Sequence, residues 1–382
     1  MTLREKIAGE IRESGPIPFS RYMELCLYEP ELGFYSRDVE RFGKAGDFYT
    51  SSDVHAVFGR LLARQFEEMW RVLDRPAQLE ILELGPGRGL FARDVLDWSE
   101  KKFPQFFQAL HYRLMEKSAA LRGRLESTLS RHIESGRALI AAVDTLVRPV
   151  SRRLAPEVPI IAFANEFFDA LPIEILGKQG KLVVDFRKGR FVECWQQAEP
   201  AELQFLNTYS VTPLPNERLE ISIPAQLYMQ KVARLIERGF ALIIDYGYTR
   251  DEQLAGRHRG TLMTFRQHAA SANPYEAPGE QDITAHVNFT PLRAAAEQEG
   301  MHVAPLVTQS QFLLGVGEVN QFADAFEECA VPQERAKVAL QLKHLITPAG
   351  MGESFHVFVA SNGVNSSEEL SGLSFGKKKI PS

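Results

Sequence analysis

Three cysteines in 382 residues, Cys26, Cys194 and Cys329, are too few and too scattered for a disulfide framework or a zinc site. No stretch reaches the roughly 18 consecutive apolar residues that a membrane-spanning helix needs. Positive charge is not in excess: the formal net charge of −5 argues against a general grip on nucleic-acid phosphates. The first fifteen residues alternate both signs of charge, unlike a secretory signal or an Arg-rich, acid-poor transit peptide, so the expected location is the cytoplasm. No internal repeat is found. What is present is ordinary for a globular chain, with 45% hydrophobic and 24% charged residues. The length allows two or three domains, or one large α/β domain with additions.

One stretch stands out, Leu79-Glu80-Ile81-Leu82-Glu83-Leu84-Gly85-Pro86-Gly87-Arg88-Gly89-Leu90-Phe91-Ala92. It reads as a buried strand, a glycine turn and the start of a helix. Glycine permits φ > 0 and removes side chains that would block a ligand. The helix from Leu90 points its first N–H groups at the turn, as nucleotide-binding helices do.

Elsewhere Thr2 and Glu5 form a capping box for a helix to about Ser14, and Ser20 starts a helix over Arg21 to Leu27. Phe42 to Ser52 reads either as a binding loop or as a surface loop whose last serines cap the next helix, Asp53 to Leu73. Beyond the glycine turn, strands are expected at Tyr112–Glu116, Ala138–Val143, Ile160–Ala164, Phe240–Ile244, His302–Val307 and Phe355–Ala360. Residues 174–224 read as an insertion with a Lys-Gly hairpin, covering one edge of the main sheet. Residues 249–284 show no period, and Asp282 or Thr284 is expected to cap the helix that follows. Asn320 to Leu342 reads as one amphipathic helix, and the tail 362–382 as disordered.

The alternation predicts an α/β, doubly wound, mostly parallel sheet of seven strands, in a domain spanning 76–361 that follows an N-terminal helical or lid region, 1–75. The substrate loop is placed at about 249–290. Ligands of such sheets sit beyond the carboxyl ends of the strands. The positions there are Gly85 to Gly89, Glu116, Asp144, Asn165 to Asp169 and Asp245.

Two readings compete for the glycine turn. Gly87-x-Gly89-x-x-Ala92 satisfies a dinucleotide fingerprint, whose ribose-binding acid is due about 20 residues later; Glu116 comes 27 residues after Gly89. Glu83-x-Gly85-x-Gly87-x-Gly89 instead resembles the first motif of class I S-adenosylmethionine-dependent methyltransferases. That resemblance implies that the turn, with Glu83 and Pro86, meets the methionine part of the cofactor. It also implies that Glu116 binds both ribose hydroxyls and that Asp144 faces the adenine. A narrower resemblance is carried by six ordered motifs: Gly46-Asp47-Phe48-Tyr49-Thr50-Ser51, Glu83 to Gly89, Asn165-Glu166-Phe167-Phe168-Asp169-Ala170-Leu171-Pro172, Ile244-Asp245-Tyr246-Gly247, Asp282-Ile283-Thr284-Ala285-His286-Val287 and Met351-Gly352-Glu353-Ser354-Phe355. Together they are similar to the MidA family, the bacterial and mitochondrial group that includes the complex I assembly arginine methyltransferase. That family implies S-adenosyl-L-methionine as cofactor and a protein arginine as acceptor, and it sets Asp47, Thr50 and Ser51 over the cofactor as a lid.

A guanidinium acceptor has to be oriented and lose a proton around methyl transfer, and paired carboxylates do both through bidentate hydrogen bonds. Glu166 and Asp169 follow the fourth strand three residues apart, able to share a helical face if a turn forms, with Asn165 as a further polar contact. The bland alternative is that Asp169 caps a helix or Glu166 pairs with an arginine. His286 can be structural or catalytic. Two other functions remain open on the sequence: a nicotinamide oxidoreductase using Gly87 to Ala92, and a cofactor-binding assembly factor without catalysis. Oligomeric state and the degree of methylation are not legible.

Overall fold

Ile160–Asn165 carries apolar side chains on both faces, as a strand buried from both sides must. In the computed structural model, which describes residues 1–36, 56–142, 158–266, 269–364 and 370–377, it lies at the centre of the larger sheet. The main path of that sheet runs through β1 (Leu79–Leu84), β2 (Leu110–Met115), β3 (Ala138–Ala141), β4 (Ile160–Asn165), β5 (Gly239–Tyr248), β6 (His302–Val303) and β7 (Phe355–Asn362). Two short strands off that path, Val287–Asn288 beside β5 and Val307–Thr308 beside β7, bring the described sheet to nine strands against the seven expected. Their order is β3-β2-β1-β4-β5-β7-β6. β3, β2, β1, β4 and β5 pair in parallel, while β7 runs antiparallel to both β5 and β6. This is the doubly wound, mostly parallel sheet expected, with order reversing between β1 and β4.

Two helices fix the core beside the switch point, α1 (Ala56–Val72) and α2 (Leu90–Lys102). Phe91 of α2 stacks on Phe163 of β4 with ring centroids 4.6 Å apart. Phe66 of α1 meets the same ring edge-on at 5.5 Å. Each such buried side chain contributes about 1.5–3 kcal/mol relative to exposure.

Contacts divide the chain into two units. One comprises Met1–Phe48, Phe167–Met229 and Gly247–Ala295; the other comprises Tyr49–Glu166, Gln230–Tyr246 and Ala296–Ser382 and holds the larger sheet. The division cuts across the linear one read from the sequence, because the chain's first helices share a core with the insertion. Leu3, Ile7 and Ile11 of the helix Leu3–Ser14 are buried with Leu182 and Val184. The insertion builds a five-stranded sheet of its own with Ile17–Pro18. Its hairpin joins Gly180–Arg187 to Arg190–Gln196 through Lys188 and Gly189, both at positive φ (50° and 79°), the geometry that two-residue hairpins favour.

Several expected elements differ, each for a local reason. The second helix is Phe19–Tyr28 with Pro18 at its cap, since the Ser20 hydroxyl donates to Glu174 at 2.5 Å. Asp245 lies inside β5 and not after it. The segment read as irregular forms a short helix, Arg250–Leu254, and an antiparallel sheet of Met263–Arg266, Ala269–Ser271 and Asp282–Thr284. Strands of three or four residues are too short to show a period. Asp282 accepts the Tyr35 hydroxyl (2.9 Å) and does not cap the next helix, Phe289–Gln298; there Asn288 accepts the N–H of Thr290 at 3.0 Å. The helix expected over 320–342 is interrupted: Phe322 is left-handed (φ 59°), and a new helix starts at Pro332 and runs to Ile346. The tail also differs, for Ser371–Lys377 is a 3₁₀-helix with Leu370 and Leu373 buried in the core.

Candidate functional site

The larger sheet's unit gathers the glycine turn and two carboxylates at the ends of neighbouring strands. Gly85, Gly87 and Gly89 all have positive φ (64°, 54° and 75°), which an L side chain adopts only at a cost. Gly85 N–H donates to Met115 O (3.1 Å), tying the turn to the end of β2, and Gly89 N–H closes it onto Pro86 O (2.9 Å). A Cβ on Gly87 would meet nothing within 4 Å, whereas one on Gly89 would stand 2.6 Å from Leu125 Cδ2. The turn is therefore open at Gly87 and packed at Gly89. Gly89 caps α2 and supplies no side-chain acceptor for the helix's first N–H groups.

Glu116 follows β2 directly and is 7% exposed. Its carboxylate accepts the Ser118 N–H at 2.8 Å. Burial pushes it up to about 7, opposed by the N–H groups of Ser118, Lys117 and Gly87 and by the charge of Arg122. Arg122 itself donates to the carbonyls of Glu116 (3.0 Å) and Lys117 (2.8 Å), pinning the chain there. Glu83 lies within β1, buried, and accepts the Tyr112 hydroxyl at 2.8 Å. Burial raises it to about 8; the Tyr112 bond pulls the other way, and the neighbouring charge of Glu116 adds to the rise. The other acid of β1, Glu80, instead pairs with Arg113 at 2.9 Å.

At the end of β4 Asn165 donates through Nδ2 to Glu166 Oε1 (3.1 Å). Glu166 N–H donates to Ile244 O of β5 (3.0 Å), and its φ is 51°. A left-handed non-glycine residue at a strand end is strained and persists only where its surroundings hold it. The shared helical face expected for Glu166 and Asp169 is therefore not formed: Glu166 is left-handed, and the turn that follows closes later, Leu171 N–H to Phe168 O at 3.3 Å. Asp245 is fully buried in β5, and its Oδ1 accepts the N–H of Tyr246 at 2.9 Å.

In the other unit Asp169 is buried, and its carbonyl accepts the Ala285 N–H at 3.1 Å. His286 donates its N–H to Thr261 Oγ1 (3.1 Å), and its Nδ1 lies 3.3 Å from Nδ1 of His258, whose ring stacks on Tyr248. Glu220, Ser222, Tyr248, His286 and Asn288 supply the polar walls of a cavity of about 20 Å³, room for a water molecule. The expected cofactor-facing residues Asp47, Thr50, Ser51 and Asp144 lie outside the described residues.

Sequence reasoning missed Tyr112 and Arg122. The signal for Tyr112 exists: the parallel register sets Ile81 opposite Tyr112, which makes Tyr112 a diagonal neighbour of Glu83. No described helix is long and apolar enough to cross a membrane, and no cluster of three or more metal-ligating side chains occurs among the described residues.

Comparison with known proteins is consistent with this geometry. Residues 61–307 match the family described as "Putative S-adenosyl-L-methionine-dependent methyltransferase". A Drosophila melanogaster protein named protein arginine methyltransferase NDUFAF7 homolog, mitochondrial, is 30% identical over 95% of this chain and 85% of its own length. The human protein arginine methyltransferase NDUFAF7, mitochondrial, is 28% identical over 91% of this chain and 81% of its own. A crystal structure from Burkholderia thailandensis bound to S-adenosyl-homocysteine superimposes with a TM-score of 0.83 at 27% identity, over 97% of this chain and 94% of that one. The expectation of a cytoplasmic protein is corrected by these relatives, since the curated ones are named mitochondrial. With the fold, the open glycine turn and the acid after β2 in place, the match over residues 61–307 and the near full-length alignment show that the chain belongs to the S-adenosylmethionine-dependent methyltransferase family that the mitochondrial NDUFAF7 proteins share.

Proposed function

We propose that this protein transfers a methyl group to an arginine side chain of another protein. The carrying observation is Glu166: an acid in a left-handed backbone at the end of β4, with one oxygen engaged by Asn165. An enzyme for guanidine methylation needs a carboxylate held against a cation, and strained backbone at such an acid clusters at functional sites. The names of the NDUFAF7 relatives support the choice of arginine.

The residues fit the cofactor. Gly87 leaves open space where a side chain would stand, and Glu116 presents a buried carboxylate to a vicinal diol. Gly85, Pro86, Gly87 and Gly89 with Glu83 take the methionine end, and Asp47, Thr50, Ser51 and Asp144 keep the cofactor contacts that the sequence resemblance implies. Bound there, the cofactor supplies an electrophilic methyl group on a sulfonium. Glu166 and Asn165 orient the acceptor nitrogen, and a carboxylate takes its proton as the positive charge is redistributed. The role of Asp169 in holding the acceptor rests on its motif.

Incubation of protein and cell extract with methyl-labelled S-adenosylmethionine, followed by hydrolysis and amino-acid analysis, tests the proposal. Label is expected in methylarginine. Glu166→Gln and Asp169→Ala should each lower transfer by about 100-fold while S-adenosylhomocysteine still binds. Label in another amino acid overturns the arginine assignment, and undiminished transfer by the variants removes the roles given to those acids.

A further inference from the structure

Two buried acids flank the glycine turn, and they are held differently. Glu116 is fixed by main-chain N–H groups at the end of β2. Glu83 reaches across from β1 and is fixed by a side chain, the Tyr112 hydroxyl, on Oε2 at 2.8 Å. Glu83 Oε1 takes no hydrogen bond among the described residues. Tyr112 is itself 1% exposed, so its ring cannot swing away without opening the core.

We infer that Tyr112 is a positioning residue for the cofactor, and that the Glu83–Glu116 pair gives up protons when the cofactor's cationic end arrives. This rests on the cofactor placement proposed above. Tyr112 commits one oxygen of Glu83 and leaves the other for an ammonium group, and by stabilising the carboxylate it makes the proton easier to lose. The groups that bear on Glu83 are Tyr112 and Glu116, and the charge that bears on Glu116 is Arg122. With Glu83 raised to about 8 and Glu116 to about 7, the protein without cofactor holds protons on this pair at pH 7. A cation beside a carboxylate, or a diol donating to one, favours the ionised form. Each proton lost passes from a carboxyl group to the buffer, leaving a carboxylate. Binding therefore tightens as pH rises through the lower of the two values and levels off near pH 8, where the ligand's own ammonium begins to lose its proton.

Calorimetric titration of the full chain with S-adenosylmethionine and with S-adenosylhomocysteine tests this at pH 7, in phosphate and in Tris, whose ionisation enthalpies differ. Release of about one proton per cofactor is expected. Glu83→Gln should remove most of that release. Tyr112→Phe should weaken binding about tenfold at pH 7 and by less at pH 8, because the loss of the hydroxyl raises the Glu83 carboxyl further. A merely structural role for Tyr112 would weaken binding equally at every pH, and that result overturns the inference. So does tight binding with identical enthalpies in the two buffers, which leaves the cofactor site standing. No binding of either compound at any pH sinks the cofactor placement itself and the inference with it.

Discussion

Gly87 and Gly89 occupy the same left-handed region and differ in what a methyl group would meet there. An alanine at either position carries a backbone cost of about 1–2 kcal/mol. At position 89 the added Cβ also presses on Leu125, whose flexible end can shift. At position 87 it projects into open space, on the side proposed for the cofactor. Gly89→Ala, on the packed side of the turn, should therefore lower thermal stability more and affinity less than Gly87→Ala, which should lose affinity by more than its stability accounts for. Paired melting and titration experiments check this; equal effects on affinity would remove the distinction. The left-handed turn of the glycines and the place of Glu116 after β2 were legible because both are local, set by a turn and by the end of one strand. Tyr112 was not, since its partner Glu83 sits 29 positions earlier and meets it only once β1 and β2 pair. The left-handed backbone of Glu166 was hidden for a similar reason: its N–H is held by Ile244, on a strand far along the chain.

Elements with a strong period were readable and punctuated ones were not. α2 runs from Leu90 to Lys102 as its pattern implied, because nothing interrupts it before Phe103. The region after residue 320 deceived, since its apolar spacing continues across Pro332, where the chain restarts a helix. The C-terminal segment deceived through composition. Serines, glutamates and lysines surround Leu370 and Leu373, yet both leucines are buried. Ser371 donates its N–H and hydroxyl to Glu68 of α1 (3.0 and 2.7 Å), and Gly372 N–H donates to Gln65 (3.1 Å). Ending the chain after Val364 would expose what these leucines cover, at about 1.5–3 kcal/mol for each, and would leave the Glu68 carboxylate without these donors. A marked fall in melting temperature is expected for that truncation; an unchanged melt would mean that the segment contributes nothing to the fold.

Buried acids are spread through both units. Burial raises the carboxyls of Glu80, Glu83, Asp94 and Glu116 in one unit and of Glu174 and Glu220 in the other. A carboxyl whose folded value is raised holds its proton longer in the folded chain than in the unfolded one. Its contribution to stability is fully present below the unfolded value, 4.5 for the glutamates and 3.8 for Asp94, and is lost as pH rises, for Glu83 through about 8. Asp97, held down by His132, and Glu328, held down by Lys101, work in the opposite sense. Their contribution exists above the unfolded value and disappears as the solution is acidified. The two sets together put the stability maximum of the cofactor-free protein near pH 5. Melting temperatures measured without cofactor should decline from pH 5 to pH 8, and Glu83→Gln, which cannot ionise, should decline less steeply over the upper half of that range. A melting temperature that climbs steadily between pH 5 and pH 8 would show that these acids are ionised in the folded chain and that their burial is relieved by other contacts.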